Sequence, residues 1–252
     1  MQTERSGLHE EVIAGRNPVI EALKSGRPVD SVMIVRDNKQ GPVLKIIALC
    51  REKSIPIKEV SPVKLDSLCP GVNHQGVAAV AAAHEYAEVE DILELARKRD
   101  EPPFLIVADD IEDPHNLGAM IRTAEAAGAH GVIIPKRNAA GLTSTVDKAS
   151  SGALEYVPVA RVANLASTID ELKKQGIWVY GADMEGQPYY KTDFGGAVAI
   201  VIGSEGKGIS RLIKEKCDFL VSIPMRGKIS SLNASVACGV LLYEVTRNRL
   251  QK

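Results

Sequence analysis

FLIVADDIEDPHNLGAMIRTAEAAGAHGVIIP, residues 104–135, holds two apolar runs with a stretch of helical spacing between them. FLIVADDI (104–111) and GVIIP (131–135) read as strands. NLGAMIRTAEAAG (116–128) reads as a helix, with Asn116 as its N-cap and Gly128 as its stop. Two apolar strands joined through a helix form a parallel crossover, and continuous apolar strands belong to sheets covered on both faces. The alternation continues downstream. YVPVA (156–160), IWVYGAD (177–183), VAIVIG (198–203) and FLVSIP (219–224) read as strands. NLASTIDELKKQG (164–176), a short stretch near 145–151, residues 209–216 and SLNASVACGVLLYEVTRNRL (231–250) read as helices, the last with Ser231 as candidate cap. The expected fold class is therefore α/β with a parallel sheet, and ligands of such sheets sit at the carboxyl ends of the strands.

Upstream, the character of the chain changes. EYAEVEDILELARKRDEPP (85–103) is acidic, then helical in pattern, then ends in Pro102-Pro103, which cannot continue a helix. The expected organisation is a small α/β domain over 1–84, a partly helical linker over 85–103 and the large domain over 104–252. In the front domain GRNPVIEALKSG (15–26) reads as a helix with Asn17 as N-cap and Pro18 at its first position. Residues 42–54 read as a second helix, and 31–36, 55–60 and 76–82 as strands.

Composition narrows the function classes. Of 252 residues, 45% are apolar and 25% charged, enough to bury a core and too apolar for a disordered chain. No apolar run reaches the ~18 residues of a membrane span. The N-terminus, MQTERSGLHEEV, lacks the apolar region of a secretory signal. Cys50, Cys69, Cys217 and Cys238 have neither zinc-pair nor disulfide-framework spacing, so reduced thiols in a cytoplasmic protein are expected, with no metal. The formal net charge is −1. That neither predicts nor excludes nucleic acid, because binding needs a local patch rather than a basic average.

Three strand ends carry unusual residues. DDIEDPHNLGAMIR (109–122) has four carboxylates within five residues. A solvated loop beside a helix N-terminus accounts for them, and an ion pair with Glu125 accounts for Arg122. VIGSEGKGIS (201–210) lets backbone N–H groups approach a ligand, with Gly203 leaving the room. It is neither a Walker loop nor a nucleophile elbow, and a plain glycine-rich turn fits it equally well. IPMRGKISSLNASVA (223–237) places Arg226 and Lys228 around Gly227, before Ser231 and Asn233.

Taken in order, DPHNLGAMIRTAEAAG, IVIGSEGKGIS and IPMRGKISSLNASVA resemble the three motifs of the SpoU (TrmH-like) RNA ribose 2′-O-methyltransferases of the SPOUT superfamily. The resemblance covers 104–248. GRNPVIEAL and HQGVAAVAA (74–82) are similar to the RNA substrate-binding domain of the RlmB-type branch, which methylates a guanosine ribose in large-subunit rRNA. The resemblance implies a parallel sheet tied in a trefoil knot, a homodimer with the site at its interface, and S-adenosylmethionine as cofactor. Gly203, Ile223 and Leu232 match the family's cofactor contacts. Asn116, Arg122, Glu205, Ser231 and Asn233 match its polar active-site positions.

A ribose hydroxyl is a poor nucleophile, so methyl transfer needs deprotonation and in-line placement. A guanidinium stays protonated, which favours Arg122 as a positioner of phosphate and hydroxyl over Arg122 as a free base. Lys136, Arg137, Arg226 and Lys228 are candidate phosphate contacts. A tRNA ribose methylase of the same family, a catalytically silent RNA-binding protein on the same fold and a nucleotide switch are the alternatives. The absent Walker pattern counts against the last.

Overall fold

The computed structural model describes residues 12–36, 38 and 41–251. The N-terminal segment read as lacking a signal thus lies, except for Val12, outside the described residues. The chain divides into two compact units, one comprising residues up to Glu85 with Gly141–Thr145, the other Tyr86–Ala140 with Val146–Lys252.

The first unit is a mixed four-stranded sheet between helices. Its strands are β1 (Val12–Ala14), β2 (Val29–Val35), β3 (Ile57–Val60) and β4 (Val77–Ala81), in the order β1-β4-β2-β3. Only β2 and β3 run parallel. The period of two sorts the side chains. Val32, Ile34, Val77 and Ala79 meet Val19, Leu23, Val43 and Ile46 of α1 (Arg16–Lys24) and α2 (Pro42–Glu52). Met33, Ala78 and Val80 meet Leu65 of α3 (Pro62–Leu68) on the other face. Neither β1 nor α3 was expected, although Ser61 before Pro62 is a cap signal and its side chain accepts from Lys64 N–H. Helix α1 begins earlier than expected. Its N-cap is Gly15, not Asn17, because Gly15 N–H donates to Val77 O and its carbonyl accepts from Val19 N–H.

The second unit is a six-stranded, all-parallel sheet in the order β10-β8-β9-β5-β6-β7. Its strands are β5 (Phe104–Ala108), β6 (Gly131–Pro135), β7 (Val159–Val162), β8 (Trp178–Pro188), β9 (Val198–Ile202) and β10 (Phe219–Ser222). Helices α4 (Val89–Lys98), α7 (Leu165–Lys174) and α8 (Arg211–Lys216) cover one face through Ile92, Leu93, Ile169, Leu172 and Ile213. Helices α5 (Pro114–Ala127) and α9 (Ala234–Leu250) pack on each other, and α9 packs on β9. Helix α6 (Ser144–Ser150) precedes β7. Strand order departs from chain order: β9 inserts between β5 and β8, and β10 lies outside β8. The loops after β5, β8, β9 and β10 therefore leave the same end of neighbouring strands, where such sheets bind ligands.

The stretch 85–103, read above as a partly helical linker, falls from Tyr86 onward within the second unit. It contains α4, closed at its start by a capping box of Glu88 and Asp91, and Ile92, Leu93 and Ala96 are buried. Its amphipathic face is a piece of the second unit's core. The caps of two other helices also differ. Asp113 caps α5 by accepting from His115 N–H, with Pro114 behind it, and Asn116 lies in the first turn. Asn233, not Ser231, caps α9 by accepting from the Ser235 and Val236 N–H groups.

His130 is fully buried at the start of β6. Its Nδ1 accepts from Phe104 N–H at 3.0 Å, so Nε2 carries the proton toward Glu101 Oε2, also at 3.0 Å. Burial pulls its pKa below the ordinary histidine value, with Glu101 partly opposing. The unfolded chain thus takes up this proton more readily than the folded one. The stability His130 contributes is present above about pH 6.5 and is lost as pH falls from there toward the folded pKa. Chemical denaturation from pH 7.5 to 5 should show wild type losing its advantage over His130→Asn on acidification.

Candidate active site at the strand ends

Strand β5 delivers the first polar segment. Asp109 follows it directly and is buried; its N–H donates to Ile202 O at 2.8 Å, and its Oδ2 accepts from Ser210 N–H at 2.7 Å. The carboxylates of 109–113 are thus not one solvated cluster. Asp109 ties the end of β5 to the end of the loop after β9, Asp113 caps α5, and Glu112 is exposed. Asp110 holds a left-handed backbone at φ 57°, and burial followed by the adjacent Asp109 raises its pKa.

Asn116 is buried in the first turn of α5 and uses both ends of its amide. Its Nδ2 donates to Glu205 Oε1 at 3.0 Å, and its Oδ1 accepts from Asn233 Nδ2 at 2.8 Å. Asn233 Nδ2 also donates to Glu205 Oε1, which Ala234 N–H approaches at 3.4 Å. Three residues far apart in sequence close a triangle. Asn233 serves it while its Oδ1 caps α9.

Beside this triangle lies a cavity of about 410 Å³, walled by residues 182–185 of β8, the loops after β9 and β10, and the starts of α8 and α9. Gly203, Glu205, Ile223, Ser231 and Leu232 line it, so five of the eight residues expected at the site meet there. Asn116 and Asn233 join through Glu205. Arg122 stands apart. It is exposed, and its Nη1 donates to Ser151 Oγ at 3.2 Å, in place of the expected ion pair with Glu125. Ser151 has a left-handed backbone, φ 53°, at the end of α6.

Asp183, Glu185 and Lys214 also line the cavity and were not expected. Lys214 Nζ lies 3.0 Å from Asp183 Oδ2 and 2.7 Å from Glu185 Oε2. The strand end GAD (181–183) was the available signal, and nothing local links it to Lys214. Burial pushes the Cys217 and Cys238 thiols up to about 12, which makes them poor nucleophiles. Among the described residues no group of three His, Cys, Asp or Glu side chains is placed to hold a metal ion.

Gly203 is needed for a reason other than the one expected. The space a Cβ would occupy is filled by the Gly208 carbonyl carbon and the Ile209 nitrogen, not left open toward the cavity. The loop folds back on itself, with Gly208 N–H donating to Ser204 O at 2.9 Å. Gly203→Ala should therefore destabilise the ligand-free protein by about 2 kcal/mol or more, the scale of overpacking. A urea melt without ligand checks this, and an unchanged midpoint would contradict the crowding.

Residues 103–243 match the model of the SpoU rRNA methylase family, and residues 12–87 match that of the RNA 2′-O-ribose methyltransferase substrate-binding domain. A Bacillus subtilis relative of the TrmH tRNA/rRNA methyltransferase family is 51% identical, covering 97% of this chain and 98% of its own. The SpoU methyltransferase AviRb of Streptomyces viridochromogenes, solved in complex with AdoMet, superposes with a TM-score of 0.60 at 26% identity, covering 96% of this chain and 91% of its own. The TrmH/SpoU tRNA-modifying enzyme of A. aeolicus superposes at 0.54 with 27% identity, covering 63% of this chain and 84% of its own. With its strand-end motifs, cavity and both domain models in agreement, the chain belongs to the SpoU rRNA methylase family of RNA 2′-O-ribose methyltransferases.

Proposed function

We propose that this chain transfers a methyl group from S-adenosylmethionine to the 2′-hydroxyl of a guanosine ribose in large-subunit rRNA, acting as a cytoplasmic homodimer. The observation that carries the reading is the Asn116–Glu205–Asn233 triangle at the rim of the 410 Å³ cavity. That volume lies within the roughly 300–1,000 Å³ of small-molecule sites. The walls suit the cofactor: apolar Ile202, Val221, Ile223 and Leu232 for an adenine, and backbone of 203–208 and 230–232 for its polar edge. When bound there, the cofactor supplies an electrophilic methyl on a sulfonium and is released as a neutral thioether. The reading includes the trefoil threading that the sequence resemblance implies.

The residues divide the remaining work. Glu205, fixed by three donors at Oε1, lines the cavity, where its carboxylate orients a ribose hydroxyl or an incoming donor. Ser231 adds a hydroxyl to the cavity lining. Arg122 grips an RNA phosphate and holds the 2′-hydroxyl in line, with its guanidinium steadied by Ser151. The proton the hydroxyl loses as the methyl is transferred leaves to bulk water. Exposed Arg226 and Lys228, in the loop before Ser231, suit neighbouring phosphates.

Two observations support a dimer. Arg122 lies six residues along α5 from Asn116, about 9 Å of helix rise, and lines no part of its own chain's cavity. Helix α9 buries Leu241, Leu242 and Val245 against its own chain and still exposes the large apolar side chains Val236 and Tyr243, which a second copy can cover. The front unit favours rRNA over tRNA, because the tRNA-modifying neighbour covers only 63% of this chain while the substrate-binding model accounts for residues 12–87. Among the described residues no helix is long and apolar enough to cross a membrane, and all four cysteines are free.

Mapping ribose methylation in cells lacking the protein tests the substrate. Loss of one large-subunit guanosine mark is expected; loss of a tRNA mark would move the substrate, and no loss would favour a silent RNA binder. For Arg122, single-turnover methyl transfer should fall ~10²-fold or more in Arg122→Ala, with cofactor affinity kept, and Arg122→Lys should not rescue. Mixing Arg122→Ala with a cavity-blocked Leu232→Asp chain should restore activity if arginine and cofactor come from different copies. Wild-type turnover in Arg122→Ala would remove the residue from the mechanism.

A further inference from the structure

Three carboxylates, Asp183, Glu185 and Glu205, and two ammonium groups, Lys207 and Lys214, line the cavity, a net charge of −1. Two of these charges are already committed. Glu205 receives donors from Asn116, Asn233 and Ala234, and Lys207 lies close enough to Asp110 to lower that residue's pKa against the effect of burial. What remains is the cluster in which a single lysine, Lys214, serves two acids. Asp183 is largely enclosed, with its side chain 18% exposed, and its Oδ1 also accepts from Glu185 N–H at 2.9 Å. Glu185 is 80% exposed and Lys214 28%. The hydrogen bonds that Lys214 donates to Glu185 and Asp183 raise its pKa, so the lysine stays charged and the cluster keeps one uncompensated negative charge.

We infer that the Asp183–Lys214–Glu185 cluster is a charge filter that makes this cavity hold a cationic sulfonium ligand over its neutral thioether counterpart. This rests on the cavity being the S-adenosylmethionine site. The methyl donor carries a sulfonium, an ammonium and a carboxylate, a net positive charge of one; S-adenosylhomocysteine has lost the sulfonium charge and nothing else but the methyl. Shape and hydrogen bonding barely distinguish the two, whereas a wall of surplus negative charge in a part-enclosed site does. The spent product is then the weaker ligand, and the next donor displaces it. The surplus is set by a lysine rather than by acids alone.

Calorimetric titration of the full chain with S-adenosylmethionine and with S-adenosylhomocysteine reads the ratio of the two affinities. The ratio should fall about fivefold in Asp183→Asn and rise about fivefold in Lys214→Met, with both changes shrinking in high salt. Glu185→Gln should move the ratio in the same direction as Asp183→Asn and by less, because its side chain is mostly in water. A variant that merely damaged the cavity would weaken both ligands together and leave the ratio alone. Ratios that stay put, or that move the same way in Asp183→Asn and Lys214→Met, overturn the inference while leaving the cofactor assignment standing. A wild-type chain that binds neither ligand overturns that assignment, and the inference falls with it.

Discussion

One carboxylate oxygen, Glu205 Oε1, holds the strand-end loops in register by accepting from Asn116, Asn233 and Ala234. The residue types follow from the geometry. An ionised carboxylate only accepts, so it can gather several donors at one point. An amide donates at one end and accepts at the other, so Asn116 can take a bond from Asn233 while giving one to Glu205. Asn116 is buried, and an amide buried without partners costs about 1–3 kcal/mol. Neither glutamine, with its longer reach, nor aspartate, with no donor, completes the same ring. The ring joins segments 89 and 117 positions apart, so it also fixes where the start of α9 lies relative to α5.

The strands were legible in the sequence because both faces of the sheet are covered. Phe104–Ala108 and Val198–Ile202 are buried at every position, which leaves no polar alternation to blur the run. Their spatial order was not legible, since nothing local tells β9 to insert beside β5 or β10 to pass outside β8. Caps show the same limit on a smaller scale. Asn116 and Ser231 are chemically good caps, yet Asp113 and Asn233 hold those positions. The competing demand on Asn116 is a partner 89 residues away. Residues 85–103 read as a spacer because their apolar positions, Ile92 and Leu93, sit among charges; only the sheet they cover makes them core.

The polar motifs were legible as a set and their division of labour was not. Glu205, Asn116 and Asn233 come together in one hydrogen-bonded triangle. Gly203 looked like room for a ligand and is room for Gly208 and Ile209. That distinction matters for reading any glycine-rich strand-to-helix loop, since backbone crossing backbone and backbone meeting ligand leave the same letter in the sequence. Asp109 and Lys214 carried no signal at all. Each is defined by a partner more than 25 positions away, Ser210 for one and Glu185 for the other.

A chain with a net charge of −1 serves a cationic cofactor and a polyanionic RNA only if its charges are segregated. The average hides this. Arg122, Arg226 and Lys228 are exposed, on a helix face and in the loop before Ser231, whereas Asp183 and Glu205 face the cavity. At physiological salt the screening length is about 8 Å, so exposed charges are felt only at short range. Each charge therefore acts mainly on what it touches. A basic rim can attract phosphate without expelling the sulfonium behind it, and an acidic wall can favour the sulfonium without repelling the RNA backbone outside. A strongly basic protein would bind RNA more tightly and hold the spent, uncharged product no less well than the donor. Near-neutral composition is what two opposite electrostatic tasks add up to when each is carried by its own local charges.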